Sequence, residues 1–142
     1  LFRHAEEKED TMILDMTFGT SDLARAIRFY DAVFSSLGIG RALDWPDGWA
    51  GWGDAYGAGS SLWLCPPYDG KRPTAGNGTM VTLFAKSAKE VNDFHAAALA
   101  HGGSDEGKPG TRPYYDPTFY VAYVRDPDGN KLACAFLHYR PD

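Results

Sequence analysis

The sequence predicts an α+β fold in which two βαβββ modules pack around a shared cleft. Three observations predict it. A strand followed by an amphipathic helix begins near residue 12 and returns after a shift of 64 and then 65 residues. The closing strand of each half returns after a shift of 70, and a Pro- and Gly-rich stretch separates the halves.

The first module spans residues 12–66. Met12 to Phe18 reads as a strand. Ser21-Asp22 starts a helix on which Leu23, Ile27, Tyr30 and Phe34 recur along one face. Leu37-Gly38 ends it, with Gly38 suited to a left-handed cap. Further strands fit at roughly Arg41 to Trp45 and Trp49 to Gly53, and Gly59 to Leu64 closes the module.

The second module spans residues 78–138, after a linker at 67–77. Thr79 to Phe84 reads as its first strand. Ser87 and Glu90 spell a capping box, and Val91, Phe94, Ala98 and Leu99 form the apolar helix face. Gly102-Gly103 ends that helix. Strands are expected at roughly Thr111 to Tyr115 and Phe119 to Arg125, with the turn Asp126-Pro127-Asp128-Gly129-Asn130 leading into the last strand. Under these shifts Met16 falls on Met80, Phe29 on Phe94, Gly38 on Gly103 and Trp63 on Ala133. Neither half, at about 60 residues, buries enough apolar surface to be comfortable alone, so residues 12–142 are read as one domain. Residues 1–11 are read as a tail outside it, disordered or left over from cloning, because Glu6 to Asp10 is a solvated charge run.

Composition narrows the function classes. A net charge of −5 argues against a nucleic-acid binder or an anionic-membrane binder, both of which want a basic face. No apolar run is long enough to span a membrane, and no apolar signal core is seen, so a cytoplasmic location is expected. Cys65 and Cys134 then read as reduced, buried thiols rather than a disulfide. The histidines His4, His95, His101 and His138 show no spacing that suggests a metal helix.

Several segments, in order and at the right intervals, carry a resemblance to a known family. They are Ile13 to Leu23, Arg28-Phe29-Tyr30-Asp31, Phe94 to Leu99, Tyr114-Tyr115-Asp116-Pro117 and Val124 to Asn130. Over about residues 12–138 the chain resembles the vicinal-oxygen-chelate superfamily, the glyoxalase, bleomycin-resistance and extradiol-dioxygenase group. The resemblance implies the fold named above and a homodimer. It is not specific for a reaction, because this fold hosts isomerases, dioxygenases, thiol transferases and antibiotic-sequestering proteins.

The resemblance also implies a divalent metal held in the cleft by His and Glu, and here the chain departs. The family's ligand positions fall on Met16, Met80 and Ala133, with a fourth near Trp63. Hard and borderline divalent ions want imidazole and carboxylate donors, which none of these four supplies. No metal and no other cofactor is therefore expected. Were that alignment wrong by a residue or two, Asp15, Asp116 and His138 would be the residues to recheck.

The cleft can still bind. Trp45, Trp49, Trp52, Tyr56 and Trp63 lie within 19 positions, and Tyr115 belongs to a second aromatic cluster. Aromatic surfaces give planar ligands large contact area at low entropy cost. The candidate ligand-binding set is Met16, Trp49, Trp52, Tyr56, Trp63, Met80, Arg112, Tyr115 and Ala133, with Arg112 placed to orient a carboxylate or enolate. The expected function is binding of a small apolar or aromatic molecule without the usual metal site. The alternative is a lyase, isomerase or dioxygenase of the same superfamily that works without metal or with a relocated site. For metal-free catalysis, Tyr56, Tyr115 and Arg112 are the candidate acid–base groups.

Overall fold

The computed structural model describes residues 12–45, 48–54 and 58–141. The first module consists of β1 (Asp15–Gly19), α1 (Leu23–Ser35), β2 (Arg41–Trp45), β3 (Trp49–Gly53) and β4 (Ser61–Cys65). The second consists of β5 (Val81–Phe84), α2 (Ala88–Ala100), β6 (Ser104–Arg112), β7 (Asp116–Arg125) and β8 (Lys131–Phe136). The two sheets repeat one topology, β1-β4-β3-β2 and β5-β8-β7-β6. In each, the first strand runs parallel to the last and the other pairs are antiparallel. The expected α+β architecture of paired βαβββ modules is thus present.

Local chemistry sets the helix ends. Asp22 caps α1, its Oδ1 accepting the Arg25 amide at 3.0 Å. Ser87 caps α2 by accepting the Glu90 amide at 3.1 Å, while Glu90 reaches back to accept the Lys86 amide at 2.8 Å. Gly38 adopts the left-handed conformation after α1, with φ 72°. After α2 that conformation falls on Gly102 rather than Gly103.

One expectation fails in the second module. The strand placed at Thr111 to Tyr115 is in fact β6, which begins at Ser104, and residues 113–115 form the turn into β7. Gly107, Pro109 and Gly110 make the segment look like a loop. They are tolerated because β6 is an edge strand whose register shifts three times against β7.

The core is continuous across both modules. Phe29, Tyr30, Val33 and Phe34 of α1 and Val91, Phe94 and Ala98 of α2 enter one buried cluster with Leu62, Leu64, Val124 and Leu132. Fully burying each large apolar side chain contributes roughly 1.5–3 kcal/mol. The helices therefore cover one face of each sheet and leave the other face free.

A polar latch fixes the modules to each other. Tyr30 donates its hydroxyl to Asp126 Oδ2 at 2.6 Å, and Asn130 Nδ2 donates both to that carboxylate at 2.9 Å and to the Gly19 carbonyl at 3.1 Å. Asp128 accepts from the Thr20 hydroxyl at 2.6 Å, the Ser21 amide at 3.0 Å and Arg25 Nη2 at 2.9 Å. The Asp-Pro-Asp-Gly-Asn turn of one module thereby grips the start of α1 in the other.

Candidate functional site

Strand alternation decides which residues can reach a ligand. On β4, Leu62 and Leu64 enter the helix-covered core, so Ser61, Trp63 and Cys65 project to the free face. On β1, Phe18 enters the core, so Thr17, paired with Trp63, lies on the free face. Met16 shares a face with Phe18 and packs against the core. This corrects the placement of Met16 in the cleft; its neighbours Asp15 and Thr17 take that direction.

Trp52 requires the same correction. It is fully buried on the helix side, stacked at 5.9 Å on Phe34, and its indole N–H donates to Asp31 at 2.9 Å. Trp49 lies three positions before Trp52 on the strand and so faces the other way. Tyr56, the remaining candidate between β3 and β4, lies outside the described residues.

Trp63 is 5% exposed, with its indole N–H satisfied by Ser61 Oγ at 2.9 Å. Its six-membered ring lies over Gly51, where a Cβ would come within 2.6 Å of a ring carbon. Only glycine permits that contact. Trp49 packs edge-on against Trp63, with centroids 6.4 Å apart, and remains 38% exposed. Trp63 thus supports the more accessible ring.

Beside Trp49 opens a cavity of about 520 Å³. Its floor is the free face of the first sheet at Thr17, Gly19 and Cys65. The strap from Pro66 to Thr74 forms its rim, contributing Pro67, Tyr68, Arg72 and Pro73. Proline rings supply fixed apolar walls, and the strap sits close enough that a Cβ on Gly19 would lie 2.9 Å from Pro73. Burial pushes the Cys65 thiol up, which keeps it protonated and poorly nucleophilic at neutral pH.

The other candidates belong to the second sheet and do not line this cavity. Val81 and Leu83 pack on the core, so Met80 and Phe84 alternate to the free face, 42% and 81% exposed. Ala133 is buried between Thr82 and Tyr123 in a small cluster with Val121 and Ala135. Tyr115 lies in the turn beyond β6, 66% exposed, its ring edge-on to Phe119 at 5.7 Å.

Arg112 is committed to the backbone. Its guanidinium donates to the carbonyls of Gly110, Thr111 and Lys108 at 3.0, 3.2 and 2.8 Å and lies 5.5 Å from the Tyr123 ring centroid. It braces the bulged edge strand, which conflicts with its expected role of orienting a ligand. Burial and the neighbouring Tyr115 push the Tyr123 hydroxyl up, so it stays protonated at neutral pH.

The free faces do not fit a divalent metal. Trp63 and Ala133 carry no donor for one, Met80 offers a soft thioether, and Met16 points away. Among the described residues no three His, Cys, Asp or Glu side chains converge on a point. Asp116 is engaged by the amide and hydroxyl of Thr118, both at 2.7 Å, and His138 stands exposed beside Phe136. His95 is buried on α2 and bonded to Asp105 at 2.8 Å.

Comparison with known proteins agrees with this architecture. The family model described as Glyoxalase/Bleomycin resistance protein/Dioxygenase superfamily matches residues 13–134. A glyoxalase/bleomycin resistance protein from Albidiferax ferrireducens is 32% identical, with a TM-score of 0.79 over 92% of this chain and 100% of that one. A glyoxalase-related enzyme from Fulvimarina pelagi is 21% identical, with a TM-score of 0.67 over 88% of this chain and 87% of that one. A lactoylglutathione lyase from Agrobacterium tumefaciens is 21% identical, with a TM-score of 0.60 over 90% of this chain and 95% of that one. The last two likenesses bear on fold alone. No curated protein matches the chain.

Proposed function

Because the chain belongs to the glyoxalase/bleomycin resistance protein/dioxygenase superfamily, we propose that it uses this fold to bind a small apolar or aromatic molecule without a metal. One observation carries the reading: a cavity of about 520 Å³ opens beside Trp49. That volume suits a ligand of one or two fused rings. Its walls are an indole, proline rings and a protonated thiol, which favour apolar contact. The donor set described above supports metal independence, since a catalytic ion needs about three protein ligands.

The working unit is a homodimer in the cytoplasm. Phe84, Met80 and Tyr115 leave apolar surface uncovered on the second module, and Trp49 does so on the first. A second copy of the chain would bury these faces, and apolar patches of this kind mark association surfaces. The two buried, unpaired cysteines suit a reducing compartment. Among the described residues no helix is long and apolar enough to cross a membrane.

The test is a titration with 2-naphthalenemethanol, followed by tryptophan fluorescence. Saturable quenching is expected in the wild type, with at least about tenfold weaker binding in Trp49→Ala from loss of the stacking ring. Unchanged affinity in that variant would move the site away from the cavity.

A further inference from the structure

The strap that rims the cavity carries a feature the binding reading leaves unused. Arg72 lines the cavity together with Trp49. No hydrogen bond or ion pair engages its guanidinium among the described residues. Three other arginines are committed: Arg25 pairs with Asp128 at 2.9 Å, Arg125 with Glu106 at 2.6 Å, and Arg112 holds backbone carbonyls. Arg72 also borders an adjoining hollow of about 310 Å³ whose rim includes Lys71. Arg72 is thus the one cation lining the Trp49 cavity among the described residues, while Lys71 borders only the adjoining hollow.

Resting on the binding reading above, we infer that the site selects ligands pairing an apolar ring with a carboxylate, and that Arg72 is the residue that selects them. A guanidinium offers a planar fork of N–H donors that matches a carboxylate in a bidentate pair. With the ring against Trp49, the acid group reaches the strap. The chain's net charge of −5 opposes an anion at long range, but salt screens that field beyond about 8 Å while a contact pair at the rim survives. Asp69 is the other charged group lining the cavity, and it opposes the anion. Its Oδ1 accepts the Lys71 amide at 2.9 Å, which shapes the strap turn. Arg72 and Asp69 thus set the charge preference in opposite directions.

Isothermal titration calorimetry of the full chain with 2-naphthoate and with 2-naphthalenemethanol, which share a ring and differ in charge, tests this. Arg72 is exposed, so the acid is expected to bind about fivefold more tightly, the size of a good exposed ion pair. Arg72→Gln should bring the acid to parity with the alcohol while leaving the alcohol unchanged. Arg72→Lys should keep part of the preference, and Asp69→Asn should strengthen acid binding alone. Raising the salt should weaken the acid and not the alcohol. Equal affinity of the two compounds in the wild type, or an Arg72→Gln variant that still prefers the acid, would overturn the inference and leave the apolar binding reading standing. Failure of both compounds to bind would overturn both.

Discussion

The ring of Trp63 occupies the space that a side chain at Gly51 would fill, with a ring carbon 2.6 Å from the ideal Cβ position. The two residues are partners across β3 and β4, so the glycine is the reason the indole can lie flat on the sheet. Trp63 in turn holds the edge of Trp49, the ring that lines the cavity. Gly51→Ala should push Trp63 off the sheet. The expected result is a loss of roughly 1–3 kcal/mol in thermal or urea unfolding, as for other overpacked cores. Near-ultraviolet circular dichroism in the tryptophan region should change with it.

The latch between modules predicts a second effect. Tyr30→Phe removes the hydroxyl that Asp126 accepts at 2.6 Å and leaves a buried carboxylate one donor short. A loss of roughly 1–3 kcal/mol is expected in chemical denaturation, with the fold intact.

The acid range should expose Asp128. Burial raises its pKa, but bonds from Ser21 and Thr20 and the charge of Arg25 outweigh burial and hold the carboxyl below its ordinary value. A depressed folded-state pKa contributes stability that is present above the unfolded value, near pH 3.8, and lost as pH falls through the folded one. Asp128→Asn should therefore be less stable than the wild type at pH 7, and the gap should shrink below about pH 4. Burial dominates at Asp126 and pushes it up, so that residue works in the opposite sense and softens the overall acid transition. Urea midpoints for both proteins across pH 3 to 7 check this; a gap that widened on acidification would contradict it.

Dimerisation should depend on the free face of the second sheet. Phe84, 81% exposed at the end of β5, is the most accessible large apolar side chain on that sheet's strands. Phe84→Asp should shift sedimentation from dimer to monomer without lowering the monomer's helix content. A wild-type chain that sediments as monomer at all concentrations would remove the dimer from the account.

Added metal should do nothing specific. An ion that binds the folded state with affinity Kd raises stability by RT ln(1 + [L]/Kd), and so raises Tm. Wild-type protein with Mn(II), Ni(II) or Zn(II) at modest excess should show no saturable increase in Tm. A stoichiometric, saturable increase would return the chain to the metal-dependent part of its superfamily.

The repeat made the fold readable because both modules spell it with the same means: a capped amphipathic helix after one short strand, and a closing strand after a Gly-containing turn. The site was less readable because a sheet inverts its faces with a one-residue change of phase. Met12, Leu14, Met16 and Phe18 share one phase of the strand and only Ile13 falls in the other, so strict alternation already grouped Met16 with the core residue Phe18. Its assignment to the cleft rested on matching Met80, whose strand runs in the other phase. Spacing alone allowed only one of Trp49 and Trp52 on the wall, since they cannot face the same way on one straight strand, but it did not say which. The strap was missed for a different reason. Pro66 to Thr74 reads as a linker, and only its fold over Gly19 brings Arg72 and Tyr68 to the cavity. Arg112 looked free because sequence does not reveal a guanidinium turned back onto its own bulged strand.

A crystal structure of the protein with 2-naphthalenemethanol decides whether the Trp49 cavity is the binding site. The naphthalene ring is expected against Trp49, between the free face at Thr17 and Cys65 and the proline strap, with no metal ion in contact with it. Ordered ligand bound elsewhere, with the Trp49 cavity closed or filled by protein side chains, would contradict it.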